Sequence, residues 1–365
     1  MSIADRPTLS GHDYCSEEIY ALERERIFHR QWFYIGREER LADPGDRLVV
    51  DVCGESIVVV RDRTGGLNAF HNVCRHRGAQ LCDESGPGPA AITCPYHGWS
   101  YAATGELIGT PNVDGDEIDR SRYGLWGVAV ETWEGFVFVS LADRPTPLRD
   151  WLADQFNEPL RLERFGLGRF QIARHTEADV AANWKVLIEN YSECLHCSRV
   201  HPELVDLIPV YRTGSIVEDG RDDHGVSLAR RSEVYRASGY EALAAAAGPD
   251  DPPPDAYYGA AVFPNMFIDV TGASAVISTL LPKGPDRTVV LADYLFTPSV
   301  MASPDFDPAG IVDFNELVAR QDFDVCERVQ RGVASRAYTH GVFAEKDLAA
   351  ANFVERYLAA RDSAG

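Results

Sequence analysis

Two short segments each place a cysteine close to a histidine. The first holds Cys74 and His76, and the second holds Cys94 and His97, with 17 residues between the two pairs. One thiolate and one imidazole from each segment could together bind a zinc ion or a [2Fe–2S] cluster. Zinc fingers commonly group cysteine with cysteine and histidine with histidine, whereas this chain alternates them. The alternation favours the type of cluster in which two thiolates bind one iron and two imidazoles bind the other, with structural zinc as the alternative.

A third segment carries a carboxylate and two further histidines. Within residues 183–203, Glu193 and His196 are three positions apart and would share one face of a helix. His201 lies slightly off that face, but Pro202 disfavours helix at the preceding residue and could bring it back. Two imidazoles and one carboxylate around open coordination positions are the ligand set of non-haem Fe(II) oxygenases. Histidines on a helix are usually ordinary core or surface residues, so this pattern gains its meaning from the cysteine–histidine segments upstream.

The helices and strands that the sequence predicts around these segments indicate an α+β fold. Apolar residues at helical spacing predict a helix over residues 14–32, and several short β-branched runs predict a β-rich unit over residues 38–145. From residue 147 onward, helices and strands are mixed. The runs that predict three strands of a meander are 261–270, 274–281 and 288–296. The helices predicted in this part are 183–200, 311–337 and 346–361.

The composition and net charge of the chain disfavour some classes of binding partner. The chain of 365 residues has 35 Lys and Arg against 56 Asp and Glu, for a formal net charge of −21. Such an acidic chain is a poor partner for nucleic acid or an anionic membrane. It would suit a cationic substrate, although solubility explains the charge equally well. The sequence contains neither an apolar run long enough to span a membrane nor a signal-peptide pattern, so we expect a cytoplasmic protein.

The cysteine–histidine segments resemble the signature of a known family, the Rieske non-haem iron oxygenases. They are C-R-H-R-G at 74–78 and C-P-Y-H-G-W at 94–99. Residues 183–202, with N-W-K followed by E-x2-H-x4-H-P, resemble that family's iron-binding helix, and the similarity covers most of residues 30–340. The resemblance implies a Rieske [2Fe–2S] cluster and a mononuclear non-haem Fe(II), with O₂ as co-substrate. It implies that the cluster is held by Cys74, His76, Cys94 and His97, and the iron by His196 and His201.

The third iron ligand should be a carboxylate far downstream, for which Asp322, Asp324 and Glu327 are the candidates. The segment that runs into V-Q-R-G at 329–332 resembles the family pattern, and that match implies Asp322. Asp324 points about 200° away from Asp322 around a helix, so the two cannot both face one metal. An exposed acidic face of a helix is the alternative explanation of these residues.

The resemblance also implies how electrons reach the iron. In the family, catalytic subunits form a ring in which the cluster of one chain lies near the iron of the next, so we expect a homotrimer or a multiple of it. By this match Glu193 is a bridging residue rather than a ligand, bonded to His196 and to His97 of the partner subunit, and it would orient both imidazoles. The sequence has no glycine-rich dinucleotide motif between a strand and a helix. Electrons should therefore come from a separate NAD(P)H-dependent reductase, with or without a ferredoxin.

The implied domain organisation has three parts. Residues 1–37 form an N-terminal helix that packs on the catalytic domain, residues 38–145 form the β-rich Rieske domain, and residues 146–365 form the mononuclear-iron domain. By resemblance, the catalytic domain is a helix-grip-like fold, in which an antiparallel sheet wraps around a long helix.

The expected reaction is an oxygenation driven by supplied electrons, because a Rieske cluster donates single electrons and a facial-triad iron activates O₂. Glutamate at position 193, within E-C-x-H-C, resembles the branch that acts on quaternary ammonium compounds such as glycine betaine and carnitine, whereas aromatic-ring dioxygenases have aspartate there. Residues 263–265 and 281–288 also resemble that branch. We therefore expect a terminal oxygenase that hydroxylates or N-demethylates a small polar, quaternary ammonium substrate. Aromatic residues that could face such a cation, although such residues more often form core, are Tyr257, Tyr258, Phe263 and Phe267.

Three other functions compete with this prediction. An aromatic ring-hydroxylating dioxygenase would use the same metal ligands. An electron-transfer Rieske protein without oxygenase activity would leave the ligand candidates between residues 183 and 332 without a purpose. A zinc hydrolase built on His196, His201 and Asp322 would leave the upstream cysteines and histidines unexplained. Cys194 and Cys197 flank the ligands, and we expect them to be packing residues, although they could also ligate as thiolates.

Overall fold

The computed structural model describes residue 3 and residues 6–114, 117–156, 159–221 and 223–363. It divides into two compact units, Phe28–Trp151 and the combination of Met1–Ile27 with Leu152–Gly365. Both units contain antiparallel sheets, and most helices belong to the second, which confirms the predicted α+β class. The domain limits predicted at 37/38 and 145/146 lie close to these divisions and stay a prediction.

The described residues form fifteen strands and eleven α-helices, joined by turns and short 3₁₀ or π-helical segments. The strands are β1 Phe33–Arg37, β2 Arg47–Val52, β3 Glu55–Arg61, β4 Leu67–His71, β5 Ala91–Thr93, β6 Ser100–Ala102, β7 Leu107–Gly109, β8 Gly127–Trp133, β9 Phe136–Ser140, β10 Gln171–Val180, β11 Val226–Ser227, β12 Ala256–Val262, β13 Met266–Thr271, β14 Ser274–Gly284 and β15 Arg287–Phe296. The helices are α1 Gly11–Cys15, α2 Glu17–Glu23, α3 Leu148–Ala153, α4 Trp184–Tyr191, α5 Cys197–Val200, α6 Pro202–Leu207, α7 Glu233–Ala237, α8 Tyr240–Ala246, α9 Pro298–Met301, α10 Ala309–Val333 and α11 Leu348–Asp362. In these ranges, none of the helices combines the length and the apolarity that crossing a bilayer requires.

The unit Phe28–Trp151 is built on a six-stranded sheet in the order β1-β9-β8-β4-β3-β2 and a three-stranded sheet in the order β5-β6-β7. Strand β3 is covered on both faces, because every residue from Ile57 to Val60 is fully buried. Val58 and Val60 point to the same face and belong to a hydrophobic cluster that contains Cys74 and Cys94. The two candidate thiolate ligands are therefore part of the core of this unit.

The larger unit contains a six-stranded antiparallel sheet in the order β10-β15-β14-β13-β12-β11. Strands β12 to β15 form the predicted meander, but the single strand predicted at 261–270 is wrong. The chain turns between Val262 and Met266, so that β12 ends and β13 begins there. Pro264 lies in this turn and has no N–H to donate to a strand ladder.

The long helix α10 packs against this sheet. It was predicted at 311–337 and spans Ala309–Val333. Ile311 and Phe314 of α10 share a hydrophobic cluster with Tyr294 and Phe296 of β15. An antiparallel sheet packed on a long helix is the arrangement predicted for the catalytic domain.

The continuous helix predicted at 183–200 is wrong. The segment forms α4 and α5 with a non-helical stretch between them. At the end of α4 the hydroxyl of Ser192 donates to the carbonyl oxygen of Ile188 at 2.6 Å, a bond that competes with continued helix. Glu193 and His196 therefore do not share a helical face, and a turn brings them together instead.

A buried ion pair holds α2 against α4 in the larger unit. Lys185 Nζ lies 2.5 Å from Glu23 Oε1, and both side chains are fully buried. The indole of Trp184 and the hydroxyl of Tyr357 also donate to Glu23, at 2.9 and 2.8 Å. The carboxylate therefore has three donors from two helices, which compensates its removal from water.

We predict that Glu23→Ala lowers the free energy of unfolding by about 3–5 kcal/mol, because it leaves the buried Lys185 without its counter-charge. Denaturant unfolding of the variant and the wild type measures the difference. Glu17→Ala is the matched control, since Glu17 is exposed on the same helix and its loss should matter little. Equal effects of the two substitutions would contradict the assigned role of the pair.

Candidate metal centres

The side chains of His196, His201 and Asp322 converge in the larger unit. Asp322 Oδ1 lies 2.9 Å from His201 Nε2 and 3.2 Å from His196 Nε2. His196 precedes the first turn of α5, His201 lies between α5 and α6, and Asp322 lies within α10. Asp322 follows His201 by 121 residues, so the tertiary structure brings the three predicted iron ligands together.

Each of the two imidazoles is held by a second hydrogen bond. Glu193 Oε1 lies 2.5 Å from His196 Nδ1, and Gln321 Oε1 lies 2.8 Å from His201 Nδ1. The Gln321 amide is oriented because its Nε2 donates to Glu203 at 3.2 Å. Both acceptor oxygens favour a proton on Nδ1, so Nε2, which lies against the shared carboxylate, is the nitrogen of each ring that would bind a metal. Gln321 was not singled out from the sequence, where its only signal is its place beside a candidate ligand.

The charges of this cluster favour a cation at its centre. Burial opposes protonation of His196, but the hydrogen bonds to Asp322 and Glu193 outweigh it and raise the pKa of His196 to about 9. Burial also opposes ionisation of Asp322, yet the two histidines hold the pKa of its carboxyl below the usual range. Two imidazole nitrogens and a carboxylate oxygen in a negative field are a suitable donor set for a divalent transition metal. The residues therefore fit a mononuclear iron.

The other two carboxylate candidates on α10 face elsewhere. Asp324 is exposed. Glu327 Oε1 accepts the N–H of Ala181 at 3.2 Å, and its other oxygen lies 3.8 Å from a guanidinium nitrogen of Arg331. Of the three candidates, Asp322 alone contacts both histidines.

Cys194 and Cys197 form a disulfide bond beside this cluster. Both are buried and belong to the hydrophobic cluster of the larger unit, as expected of packing residues, but the bond itself was not predicted. The C-x-x-C spacing was the available signal. Cys197 Sγ lies 3.9 Å from His196 Nε2, yet a sulfur in a disulfide is not a thiolate ligand. The carboxylate of Asp322 is therefore the better third donor.

In the smaller unit, the two cysteine–histidine segments form loops with the same backbone pattern. The N–H of Gly78 donates to the carbonyl of Cys74 at 3.0 Å, and the N–H of Gly98 donates to the carbonyl of Cys94 at 3.1 Å. In each loop the cysteine N–H donates to the carbonyl of the residue after the glycine, at 2.8 Å. Both glycines have φ of 72°, a left-handed conformation that glycine adopts without strain. The spacing C-x3-G thus builds the same turn twice.

The side chains on these loops fit a [2Fe–2S] cluster. The rings of His76 and His97 lie 4.6 Å apart, and Nδ1 of His76 is buried without a hydrogen-bond partner among the described residues. Cys74 and Cys94 are buried, and the hydroxyl of Tyr101 lies 3.3 Å from Cys74 Sγ. An unpartnered ring nitrogen on the same pair of loops as two buried sulfurs is expected where a cluster takes up their lone pairs. Tyr101, which the sequence patterns did not indicate, adds a hydrogen bond of the kind that tunes a cluster's potential.

A cavity of about 220 Å³ opens beside the histidine–carboxylate cluster, and all three predicted iron ligands line it. Of the four aromatic residues considered as faces for a cation, Tyr257 and Phe267 line the cavity. Tyr258 and Phe263 instead pack against other rings of the unit. Lining residues that were not identified from the sequence include Tyr191, Tyr211, Asp269 and Glu316.

Comparison with known proteins shows the family. Residues 31–133 match the Rieske [2Fe-2S] domain, and residues 167–362 match the catalytic domain of the ring-hydroxylating alpha subunits, a match over more than half of the chain. The chain belongs to the Rieske oxygenase alpha subunits. Its predicted class, an oxidoreductase of the Rieske oxygenase type, is confirmed. The catalytic-domain match also speaks against an electron-transfer protein and against a zinc hydrolase.

Curated relatives of this alpha subunit span nearly the same length. The chain is 30% identical to the glycine betaine monooxygenase oxygenase subunit of Chromohalobacter salexigens, over 94% of this chain and 83% of that one. It is 29% identical to the carnitine monooxygenase oxygenase subunit of Acinetobacter pittii, over 89% of this chain and 85% of that one. Among solved structures, the quaternary ammonium Rieske monooxygenase CntA with L-carnitine has a TM-score of 0.79 at 24% identity, covering 99% of this chain and 97% of that one. The last similarity confirms the fold.

Helix α4 of this alpha subunit carries a half-buried carboxyl group, Glu189, one turn before the histidine segment. The hydroxyl of Tyr14 donates to both its oxygens, at 2.8 and 2.9 Å. Burial raises the pKa of Glu189 from 4.5 to about 7, although Tyr14 and Lys185 oppose the shift. Between these two values the native protein binds more protons than the unfolded chain, so the contribution of Glu189 to stability falls as the pH rises.

We predict that Glu189→Gln removes this pH-dependent loss of stability. The free energy of unfolding should rise by up to about 3 kcal/mol at about pH 8, and by less at about pH 5. Denaturant unfolding at the two pH values measures the effect. Glu177→Gln, at an exposed position on β10, should retain the pH dependence of the wild type. The same retention by Glu189→Gln would show that Glu189 does not titrate in this range.

Proposed function

We propose that this protein is the terminal oxygenase of a multicomponent enzyme and that it hydroxylates or N-demethylates a small quaternary ammonium compound. The observation that carries the proposal is the cavity, because it joins the three iron-ligand candidates to aromatic rings and carboxylates. Aromatic faces and anions attract a quaternary ammonium group. The relatives add support, since they are named for glycine betaine and carnitine.

The protein's own residues have distinct roles in this proposal. The residues that would hold the mononuclear Fe(II) are His196, His201 and Asp322, and those that would hold the Rieske cluster are Cys74, His76, Cys94 and His97. When bound, the cluster supplies single electrons and the iron activates O₂. Glu193 and Gln321 fix the orientation of the two imidazoles through Nδ1. The cavity orients the substrate beside these ligands.

The reaction consumes O₂, electrons, protons and substrate. One oxygen atom enters an N-methyl C–H bond as a hydroxyl group, and the other leaves as water. A hydroxymethyl group on a quaternary nitrogen then loses formaldehyde and a proton, which releases the shorter amine. A C–H bond elsewhere in the substrate would give a stable alcohol instead.

The electrons come from a separate NAD(P)H-dependent reductase, directly or through a ferredoxin, in this proposal. We further propose a homotrimer in which Glu193 bonds His196 and also His97 of the partner subunit. The support is twofold: Glu193 already bonds His196 within the chain, and a similar quaternary ammonium Rieske monooxygenase has been linked to inter-subunit electron transfer. A carboxylate between two metal-bound imidazoles would orient both.

Metal content tests the ligand assignment. We predict that Cys74→Ala abolishes the absorption and paramagnetic signals of the [2Fe–2S] cluster, whereas His196→Ala keeps them and loses the mononuclear iron. Cys82→Ala is the control for the first variant because Cys82 is buried in the same hydrophobic cluster, and His340→Ala, at an exposed position, is the control for the second. Loss of the cluster in both Cys74→Ala and Cys82→Ala would point to core damage rather than to ligation.

The bridging role of Glu193 is tested by Glu193→Gln, which keeps an oxygen for His196 Nδ1 but removes the negative charge. We predict that both metals stay bound and that reoxidation of the reduced cluster by O₂ and substrate slows by about 10-fold or more. Stopped-flow spectroscopy of a single turnover gives this rate. Full-speed reoxidation in the variant would eliminate Glu193 from the electron path.

The substrate class is tested by a single turnover of chemically reduced, iron-replete protein. The protein is given O₂ with a panel of methylated ammonium compounds and, separately, with small aromatic compounds. Formaldehyde or a hydroxylated product from the ammonium panel is the expected result. Diols or phenols from the aromatic panel alone would replace the proposal with a ring-hydroxylating dioxygenase.

A further inference from the structure

The charged side chains of the cavity are all acidic apart from the two histidines of the metal centre. The residues that line it, all within the described part of the chain, include no lysine and no arginine. They include four carboxylates: Glu193, Asp269, Glu316 and Asp322. Glu193 and Asp322 are bonded to the histidines. Asp269 and Glu316 are therefore the negative charges available to a substrate.

Among the described residues, Asp269 has hydrogen-bond donors but no counter-ion. The hydroxyls of Tyr191, at 2.6 Å, and of Tyr257 both donate to its Oδ1. In the part of the chain that the structure describes, Oδ2 has no such partner, and the half-buried residue lines the cavity. Burial raises the pKa of Asp269 to about 6 while the two tyrosines oppose the shift, so the group is mostly an anion at neutral pH. A buried anion without a counter-ion is a site for a cationic ligand.

Aromatic rings surround this carboxylate. The ring of Tyr191 stacks on Phe267 with centroids 3.9 Å apart, and Tyr211 meets Tyr257 edge to face at 6.3 Å. Burial and the charge of Asp269 raise the pKa of Tyr191, Tyr211 and Tyr257, which places all three near that charge. Rings around an anion bind organic cations through their faces, and the anion adds direct attraction.

The negative charge of Glu316, the second carboxylate available to a substrate, is better compensated than that of Asp269. Glu316 accepts hydrogen bonds from Thr176 at 2.7 Å and from Tyr294 at 2.6 Å. Its other oxygen lies 3.9 Å from a guanidinium nitrogen of Arg320, which is largely exposed and does not line the cavity. Asp269 is therefore the stronger anchor for a cation.

The same arrangement disfavours a substrate that carries its own carboxylate. Of the six hydroxyl groups that line the cavity, those of Thr176, Tyr191, Tyr257 and Tyr294 already donate to the protein's carboxylates, which leaves those of Tyr211 and Ser278. A substrate carboxylate would meet two anions and no lysine or arginine among the lining residues. Burying a charge without a partner is costly.

We propose that Asp269 is the counter-ion of the substrate's nitrogen and that the substrate is an organic cation without a carboxylate group. This inference rests on the proposed function, from which it takes the methylated ammonium group. It departs from glycine betaine and carnitine, after which the two relatives described above are named, because both of these compounds are zwitterions.

Binding of three probes to the iron-replete holoenzyme under anaerobic conditions tests the inference. Choline is a cation, glycine betaine is a zwitterion, and 3,3-dimethylbutan-1-ol is the neutral carbon isostere of choline. Calorimetric titration should give a dissociation constant for choline at least about 10-fold lower than for the other two, since one charge-assisted contact is worth about that factor. Equal or tighter binding of glycine betaine by the wild type would overturn the inference without any variant.

Asp269→Asn keeps the size of the side chain and an acceptor for the tyrosines. It should weaken choline binding about 10- to 100-fold and leave the neutral isostere unchanged, because only the charge is removed. Glu316→Gln should have a smaller effect, and Asp305→Asn, at an exposed position, should have none. If Asp269→Asn weakened choline and the isostere equally, Asp269 would be a structural residue rather than a counter-ion.

The inference and the proposed function can fail separately. Selective choline binding that depends on Asp269, without oxidation of any ammonium compound, would support Asp269 as the counter-ion and refute the proposed reaction. Oxidation of glycine betaine with a lower KM than that of choline would support the proposed reaction and refute the assignment of a substrate without a carboxylate. Oxidation of aromatic compounds alone, with no binding of choline, would remove both.

Discussion

The packing of α4 against α10 is the constraint on which the candidate iron site depends. Asp322, Cys326 and Gln330 recur every four residues and so lie along one face of α10. On that face, Gln330 Oε1 accepts the N–H of Asn183 at the start of α4 at 2.9 Å, and Cys326 Sγ lies 4.0 Å from the carbonyl oxygen of Val186. The two helices therefore run in opposite directions. This alignment carries the chain that follows α4 to the level of Asp322, where the histidines meet it.

Buried charges in the larger unit are of two kinds. Lys185 and Glu23 lie 2.5 Å apart and compensate each other, so their charges serve the fold. Asp269 has two hydroxyl donors and, among the described residues, no cation. The difference separates a charge that stabilises the native protein from one that is left for a ligand, because an uncompensated buried anion costs stability that only binding returns.

The two metal centres differ in how far their parts are separated along the chain. In the smaller unit, each loop of the cluster site forms through hydrogen bonds within six residues, around Gly78 or Gly98. The candidate iron site needs a segment after α4 and a carboxylate 121 residues further on. Local geometry suffices for the first kind of site, whereas the second exists only after the sheet and α10 have packed.

The sequence by itself determined the local features of this protein. The alternation of Cys74, His76, Cys94 and His97 and the two C-x3-G turns depend only on short spacings, and so do the α+β pattern and the family resemblance. The sequence also showed that Asp322 and Asp324 cannot both bind one metal, because residues two positions apart on one helix face different directions.

Only the tertiary structure decided the rest. The break after α4 and the disulfide between Cys194 and Cys197 required knowledge of where the chain turns. The contact of Gln321 with His201 and the carboxylate of Asp269 in the cavity join residues that lie far apart in the chain. No short pattern encodes such contacts, because they form when separate elements pack and bury their polar groups against one another.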